Sequence, residues 1–430
     1  MVSRQCDRAL IVPDANRILV VTRHYAPEPT GSAPVVQEAA EWLAAQGDAV
    51  EVVTVWPNYP HPFIFDGYAK GERDDAIEKA VHVRRWPTWP VKGRKLLSRF
   101  GPELRFMMQL LAARVTGRIR PSRHVLSLCP SILTVLGALP LRARGGRHVV
   151  MVHDIQSGLG SAIEGGGALM AILQKVEAWT LNRADQIVVL SPAMEQALRR
   201  IGVRTPALIV PPHIDTCAIT PQPAPEGAPP TLMYSGNLGQ KQGLDQLIDL
   251  AALLKADAPH VRILVRGEGS VKARLVERAA EMGHSNIVFE PLVDKAQIAR
   301  SLAEGDVHLV PQLAGGREFA MPSKAFAIMA AGRPFIATAD PDSPMAALTH
   351  ALGAGICVPC ENPRAFADAA LALLADPERR AAMGVAGRAH VTTEVDTQVV
   401  MRKIRQCLVG DGLTLKDQSA PCSASISATS

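Results

Sequence analysis

The strongest constraint on the fold is an alternation that runs twice and is broken once. Short apolar runs rich in β-branched residues, beginning with Arg17-Ile-Leu-Val-Val-Thr22 and Ala49-Val-Glu-Val-Val-Thr-Val55, alternate with stretches whose apolar residues recur at helical spacing. A strand apolar on successive residues must be covered on both faces, and a parallel sheet with crossover helices does this. Further runs at His124–Leu128, Arg147–Val152, Gln186–Leu190 and Ala207–Val210 extend the first set, with helices over 35–47, Leu169–Asn182 and Pro192–Ile201. The stretch from Pro211 to Pro230 holds too many prolines for a regular element and reads as a linker. A second set then starts: strands at Thr231–Ser235, Val261–Arg266, Ile287–Glu290, Asp306–Val310 and Pro334–Thr338, with helices at Leu244–Lys255, Ser270–Met282, Lys295–Ala303 and Ser323–Ala331. The expectation is an α/β protein of two Rossmann-like domains, with ligand at the carboxyl ends of the strands in a cleft between them.

At 430 residues the chain exceeds one ordinary core, and 47% hydrophobic content supplies two. Its seven cysteines, at 6, 129, 217, 357, 360, 407 and 422, show no disulfide-framework spacing and fit a reducing compartment. Cys357-Val-Pro-Cys360 has redox-motif spacing, yet there is no second pair for zinc, so structural cysteines are expected. The first 16 residues lack the pattern of an export signal and no apolar run reaches about 20 residues, so a cytoplasmic protein without a membrane span is expected. A net charge of +5 over this length does not indicate nucleic acid. Its distribution is uneven: residues 84–123 carry eleven Lys or Arg against one acid, Glu103. Cations mixed with Leu, Phe, Met and the flanking Trp86 and Trp89 suit an anionic bilayer surface, and equally suit an amphipathic helix with a solvated basic face.

Two segments carry the chemistry. Tyr234-Ser-Gly-Asn-Leu-Gly-Gln-Lys-Gln-Gly243 and Met321-Pro-Ser-Lys-Ala-Phe-Ala-Ile-Met-Ala-Ala-Gly-Arg-Pro334 each read as a turn opening a helix. Helix N-termini present unpaired N–H groups and partial positive charge, so two of them, each with a lysine, describe a cradle for a diphosphate. Lys324 in a first helical turn opposes the macrodipole by about 0.3–1 kcal/mol unless an anion lies between, although a surface lysine bending into water would look the same.

These segments, together with Trp56-Pro-Asn-Tyr-Pro60, Phe65-Asp-Gly-Tyr68, Val152-His-Asp-Ile155 and Gly267-Glu-Gly269, resemble the glycosyltransferase family 4 enzymes of the GT-B fold, in particular the colanic-acid and exopolysaccharide branch. The likeness runs from about Arg17 to His390. It implies an acceptor domain at 16–211 and a nucleotide-sugar donor domain at 231–395 on either side of the proline-rich linker at 212–230; a helix at 396–410 is expected to return to the first domain, and the Ser, Ala and Thr without periodicity after it read as a disordered tail at 411–430. It further implies retaining transfer of a sugar from a nucleotide-diphosphate donor, without metal or other cofactor, onto a polyprenyl-diphosphate-linked glycan. The inner face of the membrane would be met through residues 84–123, with no nucleic acid involved.

The resemblance assigns residues as well. Gly31, Gly236, Asn237, Lys241, Gln242, Met321, Pro322, Ser323 and Lys324 would hold the donor, with Lys324 on the leaving diphosphate; His153 and Glu318 would orient the sugar; Trp56, Asn58 and Tyr59 would face the acceptor. Gly31 also reads as a plain turn glycine, His153 as a loop histidine satisfied by backbone, and Asp154 as a turn cap. Two departures stand out. Asn237 and Gln242 occupy places where the family carries Arg and Lys, and the glutamate that binds ribose falls on Ala327, with Glu318 one residue off the position of its partner. Those departures favour a rival, a non-catalytic scaffold of the same fold within a polysaccharide assembly complex; a nucleotide-sugar epimerase is a weaker third option, since it would need acid–base carboxylates in the cleft that the sequence does not locate.

Overall fold

The computed structural model describes residues 17–29, 32–59, 63–69, 71, 73–90, 96–129, 131–155, 167–314 and 323–410. Gly31, Glu318, Met321, Pro322 and the 411–430 tail lie outside them, as do residues 91–95 of the basic segment. The chain divides into two compact units, one of Met1–Ile209 with Met401–Ser430, the other Val210–Val400.

The first unit runs β1 (Arg17–Val21), α1 (Ala33–Ala45), β2 (Ala49–Val55), β3 (Asp75–Glu78), β4 (Val81–Trp86), α2 (Leu96–Val115), β5 (Ser122–Cys129), α3 (Ile132–Ala138), β6 (Arg142–Val152), α4 (Gly167–Leu181), β7 (Gln186–Val189), α5 (Pro192–Arg200) and β8 (Ala207–Ile209). Its eight strands order as β3-β4-β2-β1-β5-β6-β7-β8, parallel except for the β3–β4 hairpin. Right-handed crossovers put α1 on one face and α2, α3 and α4 on the other, where α3 packs against both of its neighbours. Leu19, Val21, Val53, Val55 and Val125 meet Phe106, Leu110 and Ala113 of α2 in the core on that face.

The alternation seen in sequence misses β3 and β4, and the reason is a charge. Val81, Val83 and Arg85 are the inward residues of β4, so a guanidinium stands where an apolar residue marks a strand. Arg85 is buried because Glu78 takes it with two 2.8 Å hydrogen bonds and the Tyr68 ring lies beneath it at 5.2 Å. Its neighbour Arg84 pairs with Glu51 at 3.2 Å. Part of the basic excess of 84–123 is therefore neutralised by acids that precede the segment, Glu51 and Glu78.

The second unit contains β9 (Thr231–Ser235), α6 (Asp245–Asp257), β10 (Arg262–Arg266), α7 (Lys272–Glu281), β11 (Ile287–Glu290), α8 (Ile298–Leu302), β12 (Val307–Pro311), α9 (Ser323–Ala330), β13 (Phe335–Thr338), α10 (Pro344–Leu352), β14 (Gly355–Val358), α11 (Pro363–Ala375) and α12 (Pro377–His390). Its sheet is ordered β11-β10-β9-β12-β13-β14 and every pairing is parallel. Successive strand residues feed opposite cores: Leu232, Tyr234, Ile263, Val265 and Leu309 pack with α6 and α11, while Val310, Phe335 and Ala337 pack with α9. Each fully buried Leu, Ile or Phe contributes about 1.5–3 kcal/mol, which accounts for two covered faces being stable. The start of the proline-rich stretch is fastened to this unit, since Arg388 donates to the carbonyls of Thr216, Ile219 and Ala330. A last helix, α13 (Thr397–Val409), carries the chain back to the first unit from Met401 onward.

Candidate functional site

A cavity of about 370 Å³ in the second unit gathers most of the described donor residues named from sequence. Gly236, Asn237 and Gln242 come from the loop after β9, Val310, Pro311 and Gln312 from the end of β12, and Ser323, Lys324 and Ala327 from α9, with Ile214 closing one wall. Strands β9 and β12 are neighbours from which the chain proceeds to opposite sides of the sheet. Their carboxyl ends therefore form the topological switch point, where open α/β sheets bind ligands.

Lys324 sits in the first turn of α9 and donates to the Tyr234 hydroxyl at 2.7 Å, with its Nζ 4.2 Å from the centre of that ring. Burial pushes the Tyr234 phenol well above its ordinary value, so it stays protonated and donates in turn to the Asn237 carbonyl at 2.7 Å. The ammonium that opposes the helix dipole is thus held by a hydroxyl and an aromatic face. In the sequence Tyr234 is only the start of a segment; its apolar strand context hides a polar tip that reaches the cavity residues. Gly236 adopts φ +145°, and a β-carbon there would lie 3.6 Å from Lys324 Cε, so the glycine brings bare backbone against the lysine.

Of the two helix N-termini expected to form the cradle, α9 alone lines the cavity with its first turn. Helix α6 begins only at Asp245, whose carboxylate is taken by Arg274 and Arg278, and the cavity is met instead by a 3-10 turn at Gln240–Gln242. Gln242 Oε1 is buried without a hydrogen-bond partner, an acceptor that a ligand donor would satisfy. Lys241 is described only in its backbone, within the same turn. Gln246, in the first turn of α6 and unnoticed in sequence, donates to the carbonyls of Gly243 at 3.1 Å and Gln312 at 2.8 Å, tying two cavity loops together. The Gly267-Glu-Gly269 turn acts from behind: Leu238 N–H donates to Glu268 O at 2.8 Å, and a β-carbon at Gly267 would fall 2.1 Å from the Gly236 carbonyl. Ala327 and its neighbours Val310, Pro311 and Ile214 make an apolar wall, with no carboxylate among the described lining residues.

The remaining candidates belong to the first unit. His153 follows β6 at its carboxyl end, half-buried, its N–H donating to the Cys129 carbonyl at 3.1 Å. Asp154 accepts from the Ile155 N–H at 2.9 Å, the geometry of a turn cap. The acceptor-side trio at the carboxyl end of β2 is unequal. Trp56 spends its indole N–H on Asp74 at 2.6 Å, Asn58 is buried and donates to the Trp56 carbonyl, and Tyr59 stands exposed with its ring against His24. Glu28, three residues before Gly31 and not marked by any pattern in the sequence, organises them: its buried carboxylate accepts from the Asn58 and Tyr59 N–H groups at 2.8 and 2.9 Å and pairs with His24 at 2.7 Å. Arg23 beside it is buried, its Nε lacks a partner, and burial lowers its pKa against the pull of Glu103 and Glu28.

Cys357 and Cys360 are free thiols whose pKa values are raised, first by burial, so they lack the thiolate character of a redox pair. Among the described residues no group of three or more His, Cys, Asp or Glu is placed to hold a metal ion, and no helix is long and apolar enough to cross a membrane.

With this geometry in view, comparison with known proteins is decisive. Residues 30–213 match a family described as glycosyl transferase 4-like domain, and residues 229–376 match glycosyl transferases group 1. WcaI of Escherichia coli strain K12, described as a colanic acid biosynthesis glycosyl transferase, is 31% identical over 373 residues, covering 81% of this chain and 90% of WcaI. The chain belongs to the GT-B glycosyltransferases of this family. A GDP-mannose-dependent monoacylated α-(1-6)-phosphatidylinositol monomannoside mannosyltransferase of Corynebacterium glutamicum is 24% identical over 247 residues, 56% of this chain and 63% of that protein. Among solved structures, sucrose-phosphate synthase of Thermosynechococcus elongatus aligns with a TM-score of 0.67 at 18% identity, covering 91% of this chain and 97% of that one. HepE of Anabaena in complex with UDP aligns at 0.64 and 14% identity, over 91% of this chain and 99% of that one. Both display the same fold as this glycosyltransferase.

Proposed function

We propose that this glycosyltransferase moves a sugar, with retention of anomeric configuration, from a nucleotide-diphosphate sugar to a glycan carried on a polyprenyl diphosphate during exopolysaccharide assembly. The observation that carries the reading is Lys324: a cation in the first turn of α9, at the switch-point cavity, facing loop backbone that Gly236 leaves bare. Charge that develops on a departing diphosphate is stabilised best by preorganised cations and backbone N–H groups, and that chemistry asks for no metal. In this reading Lys324 and Ser323 hold the diphosphate, and Gln242 Oε1 accepts a donor hydroxyl or base N–H. His153 and Glu318 orient the sugar, a role given to Glu318 from the sequence alone. Among relatives the mannosyltransferase is named as GDP-mannose-dependent, and HepE is seen with UDP, which supports a nucleotide-linked donor.

An acceptor on a lipid places the enzyme at the cytoplasmic face of a membrane, and the cations of 84–123 that are not consumed by Glu51 and Glu78 are the residues offered to it. The apolar wall at Ala327 favours the rival reading, a scaffold with a degenerate site. Calorimetric titration with UDP, GDP, ADP and their sugar conjugates, with and without magnesium, separates the two. Selective binding that disappears in Lys324→Ala is expected, and silence toward every nucleotide would leave the scaffold.

A further inference from the structure

A helix seated on a sheet needs one apolar stripe, and two helices of the first unit carry two each. In α2 the buried stripe is Phe106, Leu110 and Ala113, yet Leu104, Met108 and Val115 stand exposed on the opposite side, Val115 at 85%. In α4 the buried residues Glu177, Ala178 and Leu181 face inward, while Ile172, Val176 and Trp179 recur at i, i+4 and i+7 on the outer side, Trp179 at 49% exposure. These helices flank the short, mostly buried α3, which packs against both, so the two outer stripes belong to one layer of the unit.

Charge decides what such a layer fits. The acids of the two helices whose side chains are described, Glu103 and Glu177, are withdrawn, with side chains 12% exposed or less. The exposed ionisable residues there are Arg114 and Lys175, with Arg183 just beyond α4 holding its guanidinium carbon 3.3 Å from the centre of the Trp179 ring. Exposed aliphatic and indole side chains rimmed by cations, with the acids buried, match the headgroup boundary of an anionic bilayer, where an indole sits at the interface and Lys or Arg meets lipid phosphate. Helix α4 lies outside the basic segment and shows no basic run in sequence.

We propose that the outer stripe of α4, Ile172, Val176 and Trp179 with Lys175 and Arg183, is a second bilayer-contacting element beside that of α2, and that the two helices seat the first unit on anionic lipid. This rests on the membrane part of the function proposed above, and its test is separable from the glycosyl transfer. The full chain is sedimented with vesicles of phosphatidylcholine alone and with about one-third phosphatidylglycerol, at low and high salt. Salt-sensitive binding to the anionic vesicles is expected, weakened at least tenfold by Ile172→Ser with Val176→Ser and Trp179→Ser, and by Lys175→Glu with Arg183→Glu. Brominated lipid should quench the wild-type tryptophan emission, and Trp179→Phe should remove a measurable part of that quenching. Circular dichroism and nucleotide titration of the same variants show whether fold and donor site survive. Wild-type vesicle binding by the triple variant, quenching indifferent to Trp179→Phe, or a concentration-dependent dimer lost in the triple variant while vesicle binding persists would overturn the proposal. If nucleotide binding fails while α4-dependent vesicle binding holds, the surface stands and the transfer reading falls.

Discussion

A lysine at a helix N-terminus needs a reason, and in this enzyme Tyr234 supplies one before any ligand arrives. The hydroxyl accepts from Lys324, the ring lies beneath the ammonium, and the same hydroxyl fixes the Asn237 carbonyl. The lysine is thereby held near the backbone of Gly236 without the entropy cost of ordering a long side chain on binding. Two substitutions separate charge from positioning. Lys324→Ala deletes a charge-assisted hydrogen bond of about 1.5–3 kcal/mol, so nucleoside-diphosphate affinity should fall by roughly 10- to 150-fold in calorimetry. Tyr234→Phe keeps the ring and removes only the hydroxyl, a net hydrogen bond of about 1 kcal/mol, so a loss near fivefold is expected. Equal losses in the two variants would show that the hydroxyl itself reads the ligand.

Loops build this site, and their shape depends on contacts made away from the cavity. Gly267 is the clearest case, because its backbone lies against the Gly236 carbonyl with no room for a methyl group. Gly267→Ala must push the two loops apart; the second unit should lose about 1–3 kcal/mol in denaturant unfolding, with nucleotide affinity falling in parallel. Affinity kept at wild-type level in a destabilised variant would show that the loop position is set elsewhere. The sequence makes the central strands legible because Ile18–Val21 and Leu232–Tyr234 are apolar without interruption and Val50–Val55 is broken only by Glu51 and Thr54, and it makes Lys324 legible because a cation there is anomalous. It hides β4 behind inward-facing Arg85, and it hides Glu28 and Gln246 because their partners are backbone groups 30 and 66 residues away. The basic run likewise hides part of its pairing: a string of cations does not show that Glu51 and Glu78 sit on the strands flanking Arg84 and Arg85.

At the scale of the whole molecule, the last described helix packs against the first unit. Arg405 of α13 meets Asp48, just ahead of β2, with two hydrogen bonds of 2.7 and 2.9 Å, both side chains buried, and the Leu408 carbonyl reaches His124 at 2.8 Å. Breaking one side of a buried pair strands the other charge, so Arg405→Met should cost about 3–5 kcal/mol in denaturant unfolding, and pairing it with Asp48→Asn should restore much of that loss. Acid tests both units together, because each sheet buries a neutral histidine. His148 on β6 is pushed down to about 4, first by burial and then by Arg142, and His308 on β12 is pushed down to about 4 by burial despite its 2.9 Å hydrogen bond to the Leu302 carbonyl. An unfolded histidine titrates near 6.5, so between that pH and about 4 the unfolded chain binds protons that the folded one refuses. The stability is fully present above pH 6.5 and is lost as pH falls toward 4, on the order of 2 kcal/mol per histidine by pH 5. Denaturant unfolding at pH 7.5 and pH 5 should show this decline, with His148→Gln flattening it for the first unit and His308→Gln for the second. An unchanged pH slope in both variants would assign acid sensitivity to the carboxylates instead.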